Sequence, residues 1–303
     1  MSLDWVTTVV LSAALLGIVH VVDSHLISKR MPSFRAYLLS MGTFIFSISI
    51  VLACFFPLPP NIGAWPLTMA ILSGLTRAAS VIIMLYLMRK EEVSLVIPIT
   101  NTYPIIVALI AIPILKETVS SLQWVAILIV VFGVLLASVR RRNGGRVTWL
   151  GRTLALLAGS SVLWAISDVM TKYALEYVST WNMYWISHLI LPLAFFCVAL
   201  RPSVFREIMR FPQRNSAILI MALNETIAVT ALILFYWAMQ RGPVSLVSAI
   251  YSSRPLFVFL YAVVISRFSN LLLERGSTGG SLLLRFVAIS LIVGGIVIIY
   301  VTR

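Results

Sequence analysis

Charge is what this sequence has least of. Only 11% of its 303 residues are Asp, Glu, Lys or Arg, whereas soluble domains carry about 25%. Acids are scarcest: ten Asp and Glu stand against 23 Lys and Arg, a formal balance of +13. With 60% hydrophobic residues and a mean hydropathy of +1.02, the chain cannot cover a water-facing surface with polar groups, which excludes a soluble globular domain. The basic excess therefore points to basic loops beside a lipid bilayer, and no nucleic-acid partner is expected. Cysteine is nearly absent. Cys54 and Cys197 lie in separate apolar runs without a CxxC or a Cys/His cluster, so neither a disulfide framework nor a zinc site is indicated. Also missing are HExxH, GxSxG and P-loop signatures, which argues against an enzyme, a metal, a cofactor or direct ATP coupling. The start, MSLDW, lacks the basic region of a cleavable signal peptide.

What is present is a series of long apolar runs. They cover about 5–27, 34–56, 63–88, 93–115, 119–139, 149–175, 179–200, 214–240, 244–266 and 281–302, and are referred to below as spans 1 to 10. Each is long enough for a tilted transmembrane helix of about 20 residues, and none shows the ten-residue alternation of a membrane β-barrel. The breaks carry turn chemistry, as in Pro57-Leu58-Pro59-Pro60-Asn61 and Arg241-Gly242-Pro243. The predicted fold is all-α: a polytopic membrane protein of ten transmembrane helices. Loops after odd-numbered spans hold sixteen Lys and Arg against four on the other side, which places those loops in the cytoplasm and both termini outside. The predicted location is a bacterial inner membrane.

The two halves match. Segment 93–107, VSLVIPITNTYPIIV, aligns with 244–258, VSLVSAIYSSRPLFV, at an offset of 151, with seven of fifteen positions identical, Ser94/Ser245 and Pro104/Pro255 among them. The offset carries span 4 onto span 9, so residues 1–142 and 143–303 are read as two five-helix repeats. Five is odd, so the second copy is inverted in the membrane, the architecture of alternating access around a midplane site.

At this point the chain resembles the EamA family of the drug/metabolite transporter superfamily. The residues that carry the resemblance are Ser94-Leu95-Val96 opening an apolar helix with a central Pro104, then Lys116-Glu117, then Phe132-Gly133-Val134. The second half departs from the pattern, with Phe268 where Glu117 maps and a longer loop at 267–280. The resemblance implies transport of a small metabolite, often export, with spans 1, 3, 4, 6, 8 and 9 around a cavity and spans 5 and 10 behind.

Six charges lie inside spans: Asp23, Arg77, Asp168, Lys172, Glu225 and Arg254. Burying them all costs on the order of 10 kcal/mol, so they must pair or line a wet cavity. All six fall on spans 1, 3, 6, 8 and 9. Three carboxylates balance three cations, which fits either internal salt bridges or a site for a zwitterion, since arginine grips a carboxylate through two parallel hydrogen bonds. Ser161, Trp164, Asp168 and Lys172 share one helical face. His20 lies one turn from Asp23, either as a proton relay or as its buried hydrogen-bond partner. Glu225 is read either as a bridge to Arg77 or as the cation or proton site. Pro98 and Pro104 bracket Asn101, Thr102 and Tyr103, and Pro255 follows Tyr251 and Arg254, so these prolines are predicted as hinges. Trp164, Tyr103, Tyr236 and Tyr251 lie beside the charges as candidate walls for a substrate. The function expected is a secondary transporter, exporting an amino acid or other zwitterion, with a proton-coupled exporter of organic cations or quaternary amines as the alternative. The expected partners are the lipid bilayer and a small-molecule substrate, and the expected state is a monomer or homodimer. Val293-Gly294-Gly295 in span 10 is read as a surface for close helix packing.

Overall fold

The computed structural model describes residues 4–60, 62–88, 100–138, 151–268 and 279–302. Their regular structure is all helical, with no strand among the described residues. The helices are α1 (Trp5–His25), α2 (Phe34–Phe55), α3 (Ala64–Met88), α4 (Tyr103–Leu115), α5 (Ser121–Ser138), α6 (Gly151–Ala174), α7 (Thr180–His188), α8 (Ile190–Ala199), α9 (Pro202–Arg210), α10 (Arg214–Arg241), α11 (Val244–Tyr251), α12 (Arg254–Phe268) and α13 (Gly279–Val301). A single π turn, Leu26–Arg30, extends α1. Seven stretches are long and apolar enough to cross a membrane, and three shorter apolar helices, in α4, α5 and α13, accompany them.

Local sequence explains the ends. Ser33 accepts a hydrogen bond from the Ala36 amide, 3.2 Å, and Ser179 from the Asn182 amide, 3.1 Å, each capping the helix that follows. Lys116 adopts the left-handed conformation, φ 55°, and ends α4. That turn aims Glu117 at the start of α11, where its carboxylate accepts from the Val244 amide, 2.5 Å, and the Ser245 hydroxyl, 2.7 Å. An acid at that point suits the positive end of the helix dipole.

Two expectations need correction. Span 7 is not one continuous helix, because α7 and α8 are separated at Leu189, three residues before Pro192. The hinge prolines do not kink helix interiors. Pro104 and Pro255 are each the second residue of a new helix, where a missing N–H costs nothing. Each follows a two-residue break, Asn101–Thr102 before α4 and Ser252–Ser253 before α12, and the two breaks are again offset by 151. Pro98 and Ser94-Leu95-Val96 lie outside the described residues.

The helices pack mainly in pairs: α1 on α10, α3 on α6, α5 on α13, and α2 on α8. The α1–α10 pair is antiparallel along its length, with Trp5 against Gly242 at one end and Asp23 on Asn224 at the other. The α3–α6 pair is held by serines two turns apart. Ser80 and Ser160 each donate to the other's carbonyl, at 2.8 and 3.1 Å, and Ser167 donates to the Ser73 carbonyl, 2.9 Å. Outside the bundle, apolar residues such as Phe55, Leu109, Leu128, Leu223 and Phe286 are exposed, as a lipid-facing surface requires. The short α9, absent from the span reading, exposes Phe205 and Met209 beside Arg206 and Arg210, the pattern of a helix lying in the membrane interface.

In span 10 one glycine of the pair makes a close helix contact, and it does so within the chain. A Cβ at Gly295 would meet Val130 at 2.6 Å and the Ala126 carbonyl at 3.1 Å, and one at Gly133 would meet Ile292 at 2.8 Å. Gly295 is thus engaged inside the chain, against α5, while nothing lies within 4 Å at Gly294. Gly295→Leu is expected to overpack the α5–α13 contact and destabilise the protein by about 1–3 kcal/mol. Gly294→Leu is expected to leave stability unchanged. Thermal unfolding of the purified protein checks both.

Candidate functional site

The buried charges sort into two groups. The first centres on Arg77, in the middle of α3. Its guanidinium forms an ion pair with Asp168 of α6, and its Nε donates to Ser167 Oγ at 3.2 Å. Asp168 is completely buried, and its second oxygen accepts from Ser248 Oγ of α11 at 2.8 Å. One carboxylate thus ties three helices together. The guanidinium of Arg77 also lies 4.9 Å from the centre of the Trp164 ring. The expected Glu225–Arg77 bridge is therefore not formed. Arg77 faces α6, the helix its serines pack against, and Glu225 lies on α10.

Arg254 opens α12 immediately after the break at Ser252–Ser253. It lies 4.2 Å from the Tyr251 ring centre and 5.6 Å from that of Trp164, so both arginines share the indole. Tyr103 meets Trp164 at 5.8 Å between ring centres and donates its hydroxyl to the Ser248 carbonyl at 3.3 Å. Tyr251 stacks on Phe235, with ring centres 3.8 Å apart. Tyr236 shares a hydrogen bond with Ser187 at 3.3 Å and interacts electrostatically with Arg77. Here the fold brings together Arg77, Asp168, Trp164, Tyr103, Tyr236, Tyr251 and Arg254. Asn101 is buried at the break that precedes α4.

The arginines differ in what they touch. Arg77 is neutralised by Asp168. Among the described residues Arg254 makes no ion pair or hydrogen bond; it makes ring contacts and interacts electrostatically with Asp168 and His20. Beside it, the Trp164 Nε1–H and the Ser253 hydroxyl are buried without a hydrogen-bond partner. Unsatisfied donors next to an unpaired cation mark a place where acceptor oxygens fit.

The second group is at the far end of α1. Asp23 accepts from Asn224 Nδ2 at 2.7 Å and from the Tyr37 hydroxyl of α2. Glu225 is 3% exposed and interacts electrostatically with Asp23 and with Tyr184 of α7. The His20–Asp23 pairing is not formed. His20 is exposed and interacts with Arg254 instead, so the arginine group and the acid group meet α1 about one turn apart. Lys172, predicted on the face of Asp168, lies away from it and donates to the Met239 and Gly242 carbonyls at 2.6 and 2.9 Å, where α10 ends.

Sequence reasoning missed Ser248, Tyr37, Tyr184 and His188. The serine-rich run Ser245, Ser248, Ser252, Ser253 was a signal for the first. Tyr37 and Tyr184 resemble any interfacial aromatic, and His188 is held within its own helix by Ser187 and the Tyr184 carbonyl, each at 3.0 Å.

Removing one partner of the buried pair strands the other charge. Asp168→Asn is expected to destabilise the protein by about 3–5 kcal/mol, whereas the paired replacement Arg77→Met with Asp168→Leu is expected to recover most of that loss. Thermal unfolding of the single and double variants checks it.

The comparisons agree with this architecture. A solved chain described only as "Crystal structure of protein" shares the fold, with a TM-score of 0.70 at 16% identity, covering 98% of this chain and 96% of its own. No curated protein matches the sequence. The model of the EamA-like transporter family matches residues 3–139, a little under half of the chain, and that segment is similar to this family.

Proposed function

We propose that the chain is a secondary transporter that exports an amino acid or other small zwitterion by alternating access. In this reading ten spans form two inverted five-helix repeats, 1–142 and 143–303, around a midplane cavity. The matched helix breaks at Asn101–Thr102 and Ser252–Ser253 support the repeat, since discontinuous helices at corresponding places in two halves line transporter binding sites.

The observation that carries the substrate class is Arg254. Among the described residues its fork of N–H donors is hydrogen-bonded to no carboxylate, and Trp164 Nε1–H adds a further donor beside it. A substrate carboxylate would take both parallel hydrogen bonds of the guanidinium, with Tyr251 and Trp164 flanking it. The acids at Asp23 and Glu225 lie on the same α1–α10 pair that reaches this site, available to a positive group. That acid group favours a second reading, a proton-coupled exporter of organic cations or quaternary amines.

A thermal-shift screen of the purified protein separates the two, because a ligand at 100 times its Kd stabilises the folded state by about 2.7 kcal/mol. Amino acids are expected to raise the melting midpoint of the native protein, and the amines that lack their carboxylate are not. Arg254→Gln is expected to abolish the rise. Equal stabilisation of both proteins by amines would favour the organic-cation reading.

A further inference from the structure

Two carboxylates share a buried site here without a cation. Among the described residues the one ion pair is Arg77–Asp168, and neither Asp23 nor Glu225 joins an ion pair. The groups that face them are polar and uncharged: Tyr37 from α2, Tyr184 from α7 and Asn224 from α10. His188, on the same helix as Tyr184, is turned toward Arg77 and Tyr236, and His20 toward Arg254. Like charges in a poorly solvated site repel strongly, so a compensating positive charge must accompany this pair.

Counting donors and acceptors says which charge. Asn224 Nδ2 and the Tyr37 hydroxyl are both given to Asp23, and Tyr184 faces Glu225. That leaves Asn224 Oδ1 fully buried with no partner. Turning the Asn224 amide around does not help, because two acceptors would then face each other across 2.7 Å. The site holds two acids that join no ion pair and a buried acceptor, Asn224 Oδ1, without a donor. A proton on either acid removes one negative charge and adds one donor, whereas a bare metal cation supplies charge but no donor.

We propose that Asp23 and Glu225 form a one-proton site, in which one of the two carboxylates carries a single proton beside Asn224 and Tyr37. Binding converts two carboxylates into one carboxylate and one carboxylic acid, and release to water returns both negative charges. The site is separate from the carboxylate grip at Arg254 and stands whether or not that grip exists. On the transporter reading, it is where the proton gradient would be coupled.

Infrared difference spectroscopy of the purified protein tests it directly, since a protonated carboxylic acid has a C=O stretch distinct from those of carboxylates and amides. The native protein at neutral pH is expected to show one such band, shifting in D₂O and disappearing as the pH is raised. Glu225→Gln and Asp23→Asn are each expected to remove it, and Glu117→Gln, at the far end of the bundle, to leave it unchanged. Absence of the band from the native protein overturns the proposal without reference to any variant. So does a band that survives both substitutions, or one that is missing in sodium and potassium buffers alike while sodium alone raises the melting midpoint, which would make this a sodium site.

Discussion

The buried ion pair between Arg77 and Asp168 is the constraint on which the centre of this protein depends. A charged pair in a lipid-embedded bundle is tolerable only when each partner is fully engaged. Here Asp168 accepts from Arg77 and from Ser248, while Arg77 also donates to Ser167 and lies against Trp164. Satisfying one carboxylate thus joins α3, α6 and α11 and orients the indole. Trp164 in turn forms the wall that Arg254 and Tyr103 share.

The same pairing decides which charges are left over. With Arg77 and Asp168 neutralising each other, and Lys172 held on carbonyls at the end of α10, the balance of three acids and three cations resolves into unlike remainders. Arg254 is left beside unsatisfied donors near His20, and Asp23 and Glu225 are left beside the unsatisfied Asn224 Oδ1 about one turn further along α1. A cluster that leaves donors on one side and acids on the other suits a ligand that carries both signs.

Much of this was legible from periodicity and composition, and the failures have a common cause. Continuous apolar runs place the helices because each must hide its backbone from lipid, and the repeat at an offset of 151 located both helix breaks. A helical face, however, names the side of a helix and not the neighbour that covers it. Arg77 and Glu225 look like partners when spans 3 and 8 are taken as opposed, yet Ser73, Ser80, Ser160 and Ser167 bring α3 against α6, and Arg77 meets Asp168 instead. His20 lies one turn from Asp23, but Asp23 is already held by Asn224 and Tyr37 from two other helices. Tyr37 carries no local pattern that separates it from an interfacial aromatic. Glycines are similarly ambiguous, since only the packed structure distinguishes Gly295, buried against Val130, from its neighbour Gly294.

The account stands on Arg254 as the group that recognises the substrate. Its most direct measurement is proteoliposome transport of an amino acid compared with the amide of the same amino acid, which keeps the ammonium and removes the carboxylate charge. Transport of the amino acid with the amide excluded is the result predicted. Equal transport of the amide would contradict it and move recognition to the acid end of the cavity.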